Sequence, residues 1–528
     1  MRKSSGLLIP FAFIVLIVFN YSPVQAIPLF DYDARDFGAR GDGITLDTKA
    51  LQAAIDSCSH AGGGTVILAG GTFLSGTIYL QNYVTLQIEN GATLLASTNL
   101  ADYPLNVPER RSYTDNYTDK SLIYAEKVNH IALQGLGVID GQGGSFELKR
   151  PAAEHYRERP YLIRMIDCDH IHVRDVTLRN SAMWVQHYLN CEDLLIDGIT
   201  VQSRVNANND GIDIDGCRRV RIANCNVSSG DDALVFKSTF ESPCENVVVT
   251  NCILSSDCNA IKMGTESNGG FRNITISNCV VYDTRLCGIA LEVVDGGEMD
   301  QIIMTDVIVK DTQGAIFLRL GDRARPFREG ISKPAVGRMR NILLQNIRAS
   351  GADSIGCSIT GLAGHEIENV TLSNVAIHFK GGGTLANIER EIPDLPANYP
   401  EYKMFGPLPA FGFFCRHVKN LNMKDTELTY FRDDLRPAIF CQDVDELILS
   451  DIKAQALVQS PAQLYFRRVK NARITDCQPK APLKVFLRAE DVQDIILQQN
   501  DFTNIQTIVE SDKQSRGIKY KMFNLSPK

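Results

Sequence analysis

The sequence lacks the features that nucleic-acid-binding and membrane-spanning proteins need. Its 528 residues carry a formal net charge of −8, and an acidic protein binds the phosphate backbone of nucleic acids poorly. Beyond residue 26 no apolar run approaches the roughly 20 residues of a membrane-spanning helix. No low-complexity tract interrupts the chain, and Trp184 is its only tryptophan. We therefore expect no nucleic-acid partner and no stable insertion into a membrane.

The first 26 residues differ from the rest of the chain. Arg2 and Lys3 precede an apolar run from Leu7 to Phe19, and small residues end this stretch at Ala26. This order is typical of a secretory signal peptide, because the apolar run is too short for a membrane span. No cysteine stands at the expected cleavage point, which argues against a lipid anchor. The sequence predicts an exported protein, periplasmic or extracellular, whose mature chain spans residues 27–528.

A short pattern recurs along the mature chain at a nearly constant spacing. Segments 171–176, 220–225, 247–252 and 274–279 each alternate apolar and polar residues, then carry Asn or Asp before another apolar residue. We call the Asn or Asp the marker residue; Asn224, Asn251 and Asn278 follow one another at intervals of 27 residues. Further markers are Asp197, Asp306, Asn346, Asn374, Asp425, Asp451 and Asp476. Alternation predicts strands, and self-similarity at this period predicts a solenoid.

The order of the predicted elements indicates an all-β fold with a helical cap. No segment of helical period separates the strands, so a right-handed single-stranded parallel β-helix is the economical arrangement, with coils about 4.8 Å apart. Near the start, Asp47 or Thr48 begins an amphipathic helix that runs to the glycines at 62–64 and carries Leu51, Ala54, Ile55 and Cys58. We expect residues 27–100 to form this cap and the first coils, because a solenoid must cover the open end of its core.

Two stretches interrupt the regular coils. They lie at about residues 98–120 and at about residues 379–412, the second rich in proline and tyrosine. Long ordered loops on a repetitive scaffold commonly surround a functional groove. We therefore predict a single catalytic β-helix domain, over residues 27–528, with these two insertions beside its site.

Fourteen cysteines in an exported chain would ordinarily suggest disulfide bonds. Seven of them, however, fall seven residues before or one residue after a marker residue. In other coils the same two positions hold Phe, Met, Ile or Val, so cysteine serves there as a small buried apolar residue. We predict free thiols in the core. Cys258 and Cys287 remain the candidates for a bridge.

Two acidic motifs stand on successive coils. They are Asn208-Asn209-Asp210-Gly211 and Gly230-Asp231-Asp232. Hydrolysis of a glycosidic bond needs one carboxylic acid to protonate the leaving oxygen and a carboxylate to activate water. Clustered carboxyls also raise the pKa of one member, which keeps that member protonated. Each motif alone is a common turn sequence, so these aspartates could instead cap turns.

These motifs, the coil pattern and the cap together resemble glycoside hydrolase family 28, the polygalacturonase-like enzymes that degrade pectin. The resemblance covers nearly the whole mature chain and includes residues 36–43, residues 62–66 and the stretch 180–187. It implies that Asp231 is the general acid and that Asp210 and Asp232 hold and activate the water. It also implies an inverting mechanism, with acid and base carboxyls roughly 6.5–9.5 Å apart, and no metal or other cofactor.

The sequence departs from the family at three positions. Asn259 stands where the family has a histidine, and no other histidine lies on that coil. Ala290 and Glu292 stand where the family has the arginine and lysine that grip a galacturonate carboxylate. An acidic Glu292 would repel such a carboxylate. We therefore expect the sugar next to the cut to be bound differently.

Several residues near the acids are candidates for binding the substrate. Lys237 and Lys262 lie beside the acids, and Arg319 lies farther along the stack with Arg323, where either arginine could grip a carboxylate or face solvent. Asp213 faces away from the core, as in the rhamnogalacturonan-cleaving branch of the family. Trp184 could stack on a sugar or pack in the core, and His187 could contact the cleft or be a satisfied surface histidine. Asn208 and Asn259 complete the set.

The leading functional prediction is an exported hydrolase of pectic polysaccharide or oligosaccharide. We expect it to cleave α-glycosidic bonds near galacturonate as a monomer. The departures favour an exo-acting or rhamnogalacturonan-type enzyme over an ordinary endo-polygalacturonase. A β-helical polysaccharide lyase is one alternative, and a non-catalytic carbohydrate-binding solenoid is the other.

Overall fold

Parallel strands dominate the computed structural model of this protein, which describes residues 30–146 and 156–520. The expected signal peptide, residues 1–26, lies outside these ranges. Strands β1 to β12 are Phe30–Asp33, Asp42–Leu46, Gly64–Leu68, Gly71–Ser75, Ile78–Tyr79, Val84–Ile88, Ala92–Ala96, Ser121–Glu126, Asn129–Gln134, Val138–Asp140, Tyr161–Ile166 and Asp169–Arg174. Strands β13 to β24 are Thr177–Arg179, Gln186–Leu189, Glu192–Asp197, Thr200–Ser203, Ile212–Asp215, Arg218–Ala223, Asn226–Ser229, Leu234–Ser238, Cys244–Thr250, Ile253–Ser256, Ile261–Ser267 and Phe271–Val293. Strands β25 to β35 are Glu298–Leu320, Arg338–Ala352, Cys357–Thr360, Ile367–Gly381, Phe413–Arg432, Ile439–Ala454, Leu464–Thr475, Leu483–Glu490, Gln493–Gln498, Ile505–Ser511 and Lys519–Tyr520.

The pairing register sorts these strands into three stacks, which form the faces of a right-handed single-stranded parallel β-helix. The first stack contains β15, β18 and β21, the second contains β16, β19 and β22, and the third contains β17, β20 and β23. The long strand β24 pairs in turn with β21, β22 and β23, so it makes one complete coil by itself. The predicted fold class is confirmed.

The marker residues form the corner between the first and second stacks. Asn224, Asn251 and Asn278 all have left-handed backbones, with φ of 58°, 58° and 53°, a conformation that asparagine tolerates better than most residues. The side-chain amide of Asn251 donates to Asn224 Oδ1 at 3.3 Å, which ties one coil to the next. The repeated asparagine therefore reflects a repeated turn.

All fourteen cysteines are free thiols, as predicted. Thirteen of them are buried, and Cys258 is partly exposed. Cys258 and Cys287, the remaining candidates for a bridge, are both reduced. The cysteines of the two repeat positions lie in the continuous apolar core that fills the coils.

This assignment predicts the result of a thiol titration. The unfolded protein should react with a thiol reagent at all fourteen cysteines without prior reduction, and the folded protein should react mainly at Cys258. A mass-spectrometric count of alkylated cysteines measures both numbers. A shortfall in the unfolded protein would reveal a disulfide bond and contradict the assignment.

The N-terminal end of the core is covered by helix α1, Thr48–His60, as predicted. Leu51, Ala54, Ile55 and Cys58 face the core and are fully buried. Asp47 does not cap the helix through its side chain; its carboxylate accepts the backbone N–H groups of Arg40 and Gly41 at 2.8 and 2.9 Å. Among the described residues, no helix has the length and apolar character needed to cross a bilayer.

Three long loops whose residues are all described leave the coils beside the third stack. The early loop, residues 97–120, and the late loop, residues 382–412, both connect the second stack to the third. The middle loop, residues 321–337, follows the third stack. The early loop lies where predicted. The late loop begins three residues later than predicted because β28 continues to Gly381, and helix α2, Leu385–Ile388, lies within it. The middle loop was not predicted from the sequence.

Candidate active site

The three predicted catalytic aspartates come together where the second stack passes into the third. Asp210 lies just before β17, and Asp231 and Asp232 lie just before β20 on the next coil. The N–H of Gly211 donates to the carbonyl of Asp232 at 2.9 Å, which ties the two coils together. All three aspartates line a cavity of about 600 Å³. The cavity is also lined by Asn208, Trp184, Lys237 and Lys262, as predicted.

Strand alternation directs two lysines into this cavity. On β23, Ile261 and Met263 point into the core, so Lys262 between them points outward. Its Nζ lies 3.0 Å from Asp232 Oδ2. On β20, Lys237 points outward, and its Nζ lies 3.6 Å from Asp210 Oδ2. Each lysine thus neutralises one of the aspartates.

The adjacent carboxyls Asp231 and Asp232 have pKa values shifted in opposite directions. Burial and the charge of Asp232 raise the pKa of Asp231. Burial also raises the pKa of Asp232, but the ammonium groups of Lys262 and Lys237 outweigh it and bring this pKa below its usual range. Of these two neighbours, Asp231 is therefore the one whose pKa shift favours the protonated form, and Asp232 is the one whose shift favours the ionised form.

Asp210 belongs to the same electrostatic cluster. Burial and the charges of Asp213 and Asp231 raise the pKa of Asp210, whereas Lys237 lowers it. The charge on Lys237 therefore controls how much of Asp210 is ionised.

The separation of the carboxyls bears on their roles. Carboxylate oxygens of Asp231 and Asp232 lie within 4.8 Å of one another, because the two residues are neighbours in the chain. This is shorter than the roughly 6.5–9.5 Å expected between the acid and the base of an inverting hydrolase. The N–H of Asp232 also donates to Asp231 Oδ1 at 2.9 Å. Asp210, which comes from the preceding coil, is the better candidate for the base opposite Asp231.

Asp213 and Asn259 do not line the cavity, so their contact with the substrate stays a prediction. Asp213 is fully buried beside Lys237 Nζ, at 3.6 Å, and its oxygens accept no hydrogen bond from the described residues. Asn259 lies behind Asp232 and donates to Asp232 Oδ1 from its backbone at 2.9 Å and from its side chain at 2.8 Å. Asn259 therefore orients an acid where the family has a histidine.

The aromatic residues of the preceding coil are packed among one another. Trp184 is only 3% exposed and packs against Tyr117, Tyr161 and His187. Lys237 Nζ lies 4.6 Å from the centre of the Trp184 ring, so the ring borders the cavity but presents little surface for stacking on a sugar. Trp184 therefore packs among aromatic rings at the edge of the cavity, and its stacking on a sugar stays a prediction.

His187 contacts neither the cleft nor the solvent, so its predicted substrate contact is wrong. It is fully buried, and its Nε2 lies 3.1 Å from Asp215 Oδ2. The rings of Tyr161 and Trp184 cover it. Burial is also the main cause that lowers the pKa of His187.

Arg319 holds the late loop instead of a substrate, which corrects a further prediction. It is 1% exposed, and its Nη2 donates to the backbone carbonyls of Asp394 and Leu395 at 2.5 and 3.2 Å. Arg319 faces outward on the third stack, as predicted, but the late loop covers this part of the stack.

The late loop also covers Ala290 and Glu292. Ala290 packs in an apolar cluster with Phe317 of the third stack and with Tyr402 and Phe405 of the late loop. Glu292 is 1% exposed. Burial, opposed by Lys262, raises the pKa of Glu292 to about 8. Near neutral pH this carboxyl is therefore largely uncharged, and the predicted repulsion of a uronate carboxylate at this position is wrong.

Eight further residues that line the cavity were not predicted from the sequence. They are Tyr113, Asn116, Tyr117, Arg157, Thr265, Glu266, Arg325 and Tyr399. Glu266 lies on the same strand as Lys262. The strand position of Glu266 was a usable signal. Most of the others come from segments between strands, where no period indicates which side chain faces the site.

The chain matches a known family and several of its members. The model of Glycosyl hydrolases family 28 matches residues 58–393, which is more than half of the chain. A probable polygalacturonase of Vitis vinifera is 35% identical over 217 residues, or 39% of this chain and 44% of that protein. An exo-poly-alpha-D-galacturonosidase of Dickeya chrysanthemi is 28% identical over 248 residues, or 38% of this chain and 40% of that protein. The matches thus span less than half the length of these relatives.

Solved structures share the architecture. A hyperthermoactive exopolygalacturonase from Thermotoga maritima superposes with a TM-score of 0.57 at 22% identity, over 75% of this chain and 92% of that chain. The tailspike protein of E. coli bacteriophage HK620 superposes with a TM-score of 0.54 at 12% identity, over 93% of this chain and 80% of that chain. At these identities the likeness concerns the fold alone. On the match of its family model, the chain belongs to the glycosyl hydrolases family 28.

Proposed function

We propose that this protein is an inverting glycoside hydrolase that cleaves α-glycosidic bonds near galacturonate in pectic polysaccharide or its oligosaccharides. The observation that carries this proposal is the cavity in which Asp231, with a raised pKa, stands beside the ionised Asp232 and faces Asp210 from the preceding coil. A proton donor beside a carboxylate is what glycosidic hydrolysis requires. Membership of the family supports the same assignment.

Each of the three aspartates has a separate role in the reaction. Asp231 donates its proton to the glycosidic oxygen as the bond to the anomeric carbon breaks. Asp210 and Asp232 hold a water molecule on the opposite face of the sugar, and Asp210 accepts a proton from that water as its oxygen bonds to the anomeric carbon. Asp232, kept ionised by Lys262, also stabilises the positive charge that develops on the sugar ring. Proton exchange with solvent then restores Asp231 and Asp210.

The loops favour action at chain ends. Beyond Lys262 the outward face of the third stack carries Ala290, Phe317 and Phe414, which the late loop covers. Tyr399 of this loop borders the cavity, and its hydroxyl accepts a hydrogen bond from Lys262 Nζ at 3.2 Å. A polymer cannot continue along the stack in this direction. We therefore propose exo action, or action on a rhamnogalacturonan-type chain, over random internal cleavage.

A substrate panel tests the proposal. Homogalacturonan, rhamnogalacturonan I and short uronate oligosaccharides would be incubated with the protein, and new reducing ends, product sizes and anomeric configuration would be followed. We expect release of short products of inverted configuration from one of these substrates. The ultraviolet absorbance of an unsaturated uronate would indicate a lyase instead. Binding without release of sugar would indicate a non-catalytic solenoid, and early products of many lengths would rule out exo action.

Export of the protein is predicted from its sequence alone. The N-terminal leader expected over residues 1–26 lies outside the described residues, so export to the periplasm or the medium stays a prediction. The monomeric state likewise stays a prediction. Fractionation of a tagged full-length chain and light scattering of the purified protein would test the two.

Replacing Lys237 by methionine should shift the pH dependence of the reaction. Lys237 lowers the pKa of Asp210, so without its charge Asp210 needs a higher pH to ionise. We expect the acidic limb of the kcat/KM profile to move to higher pH and the maximum to fall. Lys333→Met, at an exposed position of the middle loop, serves as the control. An unchanged acidic limb in Lys237→Met would show that Lys237 does not control the base.

A further inference from the structure

Arg325 of the middle loop makes a bridge across the wall of the cavity. Its guanidinium carbon lies 4.1 Å from the centre of the Tyr113 ring, and its Nη1 donates to the Tyr113 hydroxyl at 2.8 Å. Tyr113 belongs to the early loop and is anchored by its own N–H, which donates to the carbonyl of Thr239 at 2.8 Å. Through this one contact, two loops that are far apart in sequence close one side of the cavity.

Buried carboxylates fix the guanidinium of Arg325 from behind. Its Nε and Nη2 donate to Asp295 Oδ2 at 3.2 and 3.1 Å. Its backbone N–H donates to Asp295 Oδ1 at 3.0 Å. Asp295 Oδ1 also accepts a hydrogen bond from Arg323 Nε at 2.9 Å, and Asp295 is 1% exposed. The bridge to Tyr113 is therefore held in place at the base of the middle loop.

The same guanidinium is connected to the catalytic cluster. Arg325 Nη2 donates to Glu266 Oε1 at 2.6 Å, and the other carboxylate oxygen of Glu266 lies 3.7 Å from Lys237 Nζ. Lys237 Nζ in turn lies 3.6 Å from Asp210 Oδ2. Glu266 and Lys237 are almost completely buried, so solvent screens these charges little. The chain of contacts thus joins the cavity wall to the proposed base in three steps.

We propose that Arg325 has two roles in the proposed hydrolase: with Tyr113 it restricts the cavity to chain ends, and through Glu266 it positions Lys237 beside Asp210. The first role follows because a planar guanidinium can stack on a ring while it donates to several acceptors, which a lysine cannot do. The second follows because Glu266 has two cationic partners, Arg325 and Lys237, so loss of Arg325 removes the pull that opposes Lys237. The Thr265 hydroxyl, which donates to Glu266 Oε1 at 3.2 Å, then remains as a neutral partner while the carboxylate shifts toward Lys237. Arg325 is thus a specificity-determining and positioning residue.

Three variants separate the two roles. Tyr113→Ala removes the wall but leaves the contacts of Glu266, so it should release longer products and lower kcat on short oligosaccharides much less than Arg325→Ala does. Arg325→Ala removes both the contact with Tyr113 and the contact with Glu266, so it should release longer products and lower kcat. We expect kcat to fall by roughly ten- to hundredfold, the cost of misplacing a catalytic group by about 1 Å. Arg325→Lys keeps a charge near Glu266, so it should recover most of kcat and still release longer products.

The measurements are product sizes from a long polymer and separate kcat and KM values on a short oligosaccharide. Arg328→Ala, at an exposed position of the same loop, is the matched control and should behave like the unchanged protein. If Arg325→Ala and Tyr113→Ala kept the product sizes and kcat of the unchanged protein, the inference would be overturned. If the unchanged protein released no sugar from any substrate, the proposed function itself would fail. Thermal unfolding of every variant identifies loss of fold.

Discussion

Asp231→Asn should lower kcat by about a thousandfold or more, which lies within the range that general acids contribute. The amide has the shape of the carboxyl but cannot give a proton to the leaving oxygen, and of the adjacent carboxyls Asp231 and Asp232 it is Asp231 whose pKa is raised. The N–H of Asp232 donates to Asp231 Oδ1. The amide oxygen of the variant can accept the same hydrogen bond, so the fold should persist. Initial rates on the best pectic substrate, with circular dichroism of the variant, measure both effects.

The leaving group offers an internal check on this assignment. A glycoside with an acidic phenol as leaving group needs little protonation, so Asp231→Asn should lose much less activity on it than on a natural sugar chain. Asp311→Asn removes a carboxylate of the same type at an exposed position on the same solenoid and should change neither rate. Equal losses on both substrates would argue that Asp231 binds the sugar and does not supply the proton.

Arg436→Ala should destabilise the late loop by about 3–5 kcal/mol, the usual cost of removing one partner of a buried ion pair. Arg436 and Asp434 are both buried, and Arg436 Nη2 lies 2.7 Å from Asp434 Oδ2. Asp434 also accepts the N–H of Gly383 at 2.8 Å, and Arg436 Nη1 donates to the carbonyl of Leu408 at 3.0 Å. The pair thus fastens the loop near both of its ends.

Hydrogen exchange of the amides in residues 382–412 is the direct measurement for this variant, because a solenoid can open locally without unfolding throughout. Exchange and proteolysis of the loop should accelerate, and activity should fall as Tyr399 leaves the cavity. Arg432→Ala, at an exposed position near the same ion pair, should leave the loop protected. Unchanged exchange in Arg436→Ala would mean that the apolar contacts of the loop suffice to hold it.

The coils could be predicted because their pattern is set by local chemistry. Alternation of apolar and polar residues determines which side chains enter the core, and asparagine at the markers reflects the left-handed turn at one corner. Alternation on β20 and β23 likewise accounts for Lys237 and Lys262 on the outward face of the third stack. It also placed the cysteines in the core, since cysteine exchanges there with Val, Ile, Met and Phe.

Alternation indicates which face a side chain occupies, but it does not indicate what covers that face. Arg319 and His187 both point outward, yet the late loop covers the first and an aromatic cluster covers the second. Glu292 was expected to repel a uronate carboxylate for a similar reason. Alternation does not show that its side chain is buried, and burial is the main cause that raises its pKa. Arg325 was missed because its partners lie 30, 59 and 212 residues away in sequence.

The placement of the loops has an evolutionary consequence. The catalytic aspartates lie at short corners between the second and third stacks, where the hydrogen bond from Gly211 to the carbonyl of Asp232 ties neighbouring coils together, whereas the three loops leave the stack on other coils, where the chain can lengthen. Descendants of one ancestral solenoid can therefore exchange or extend loops and reach new polymers while they keep the same acid chemistry. Bond cleavage and the choice of polymer are then inherited as separable traits.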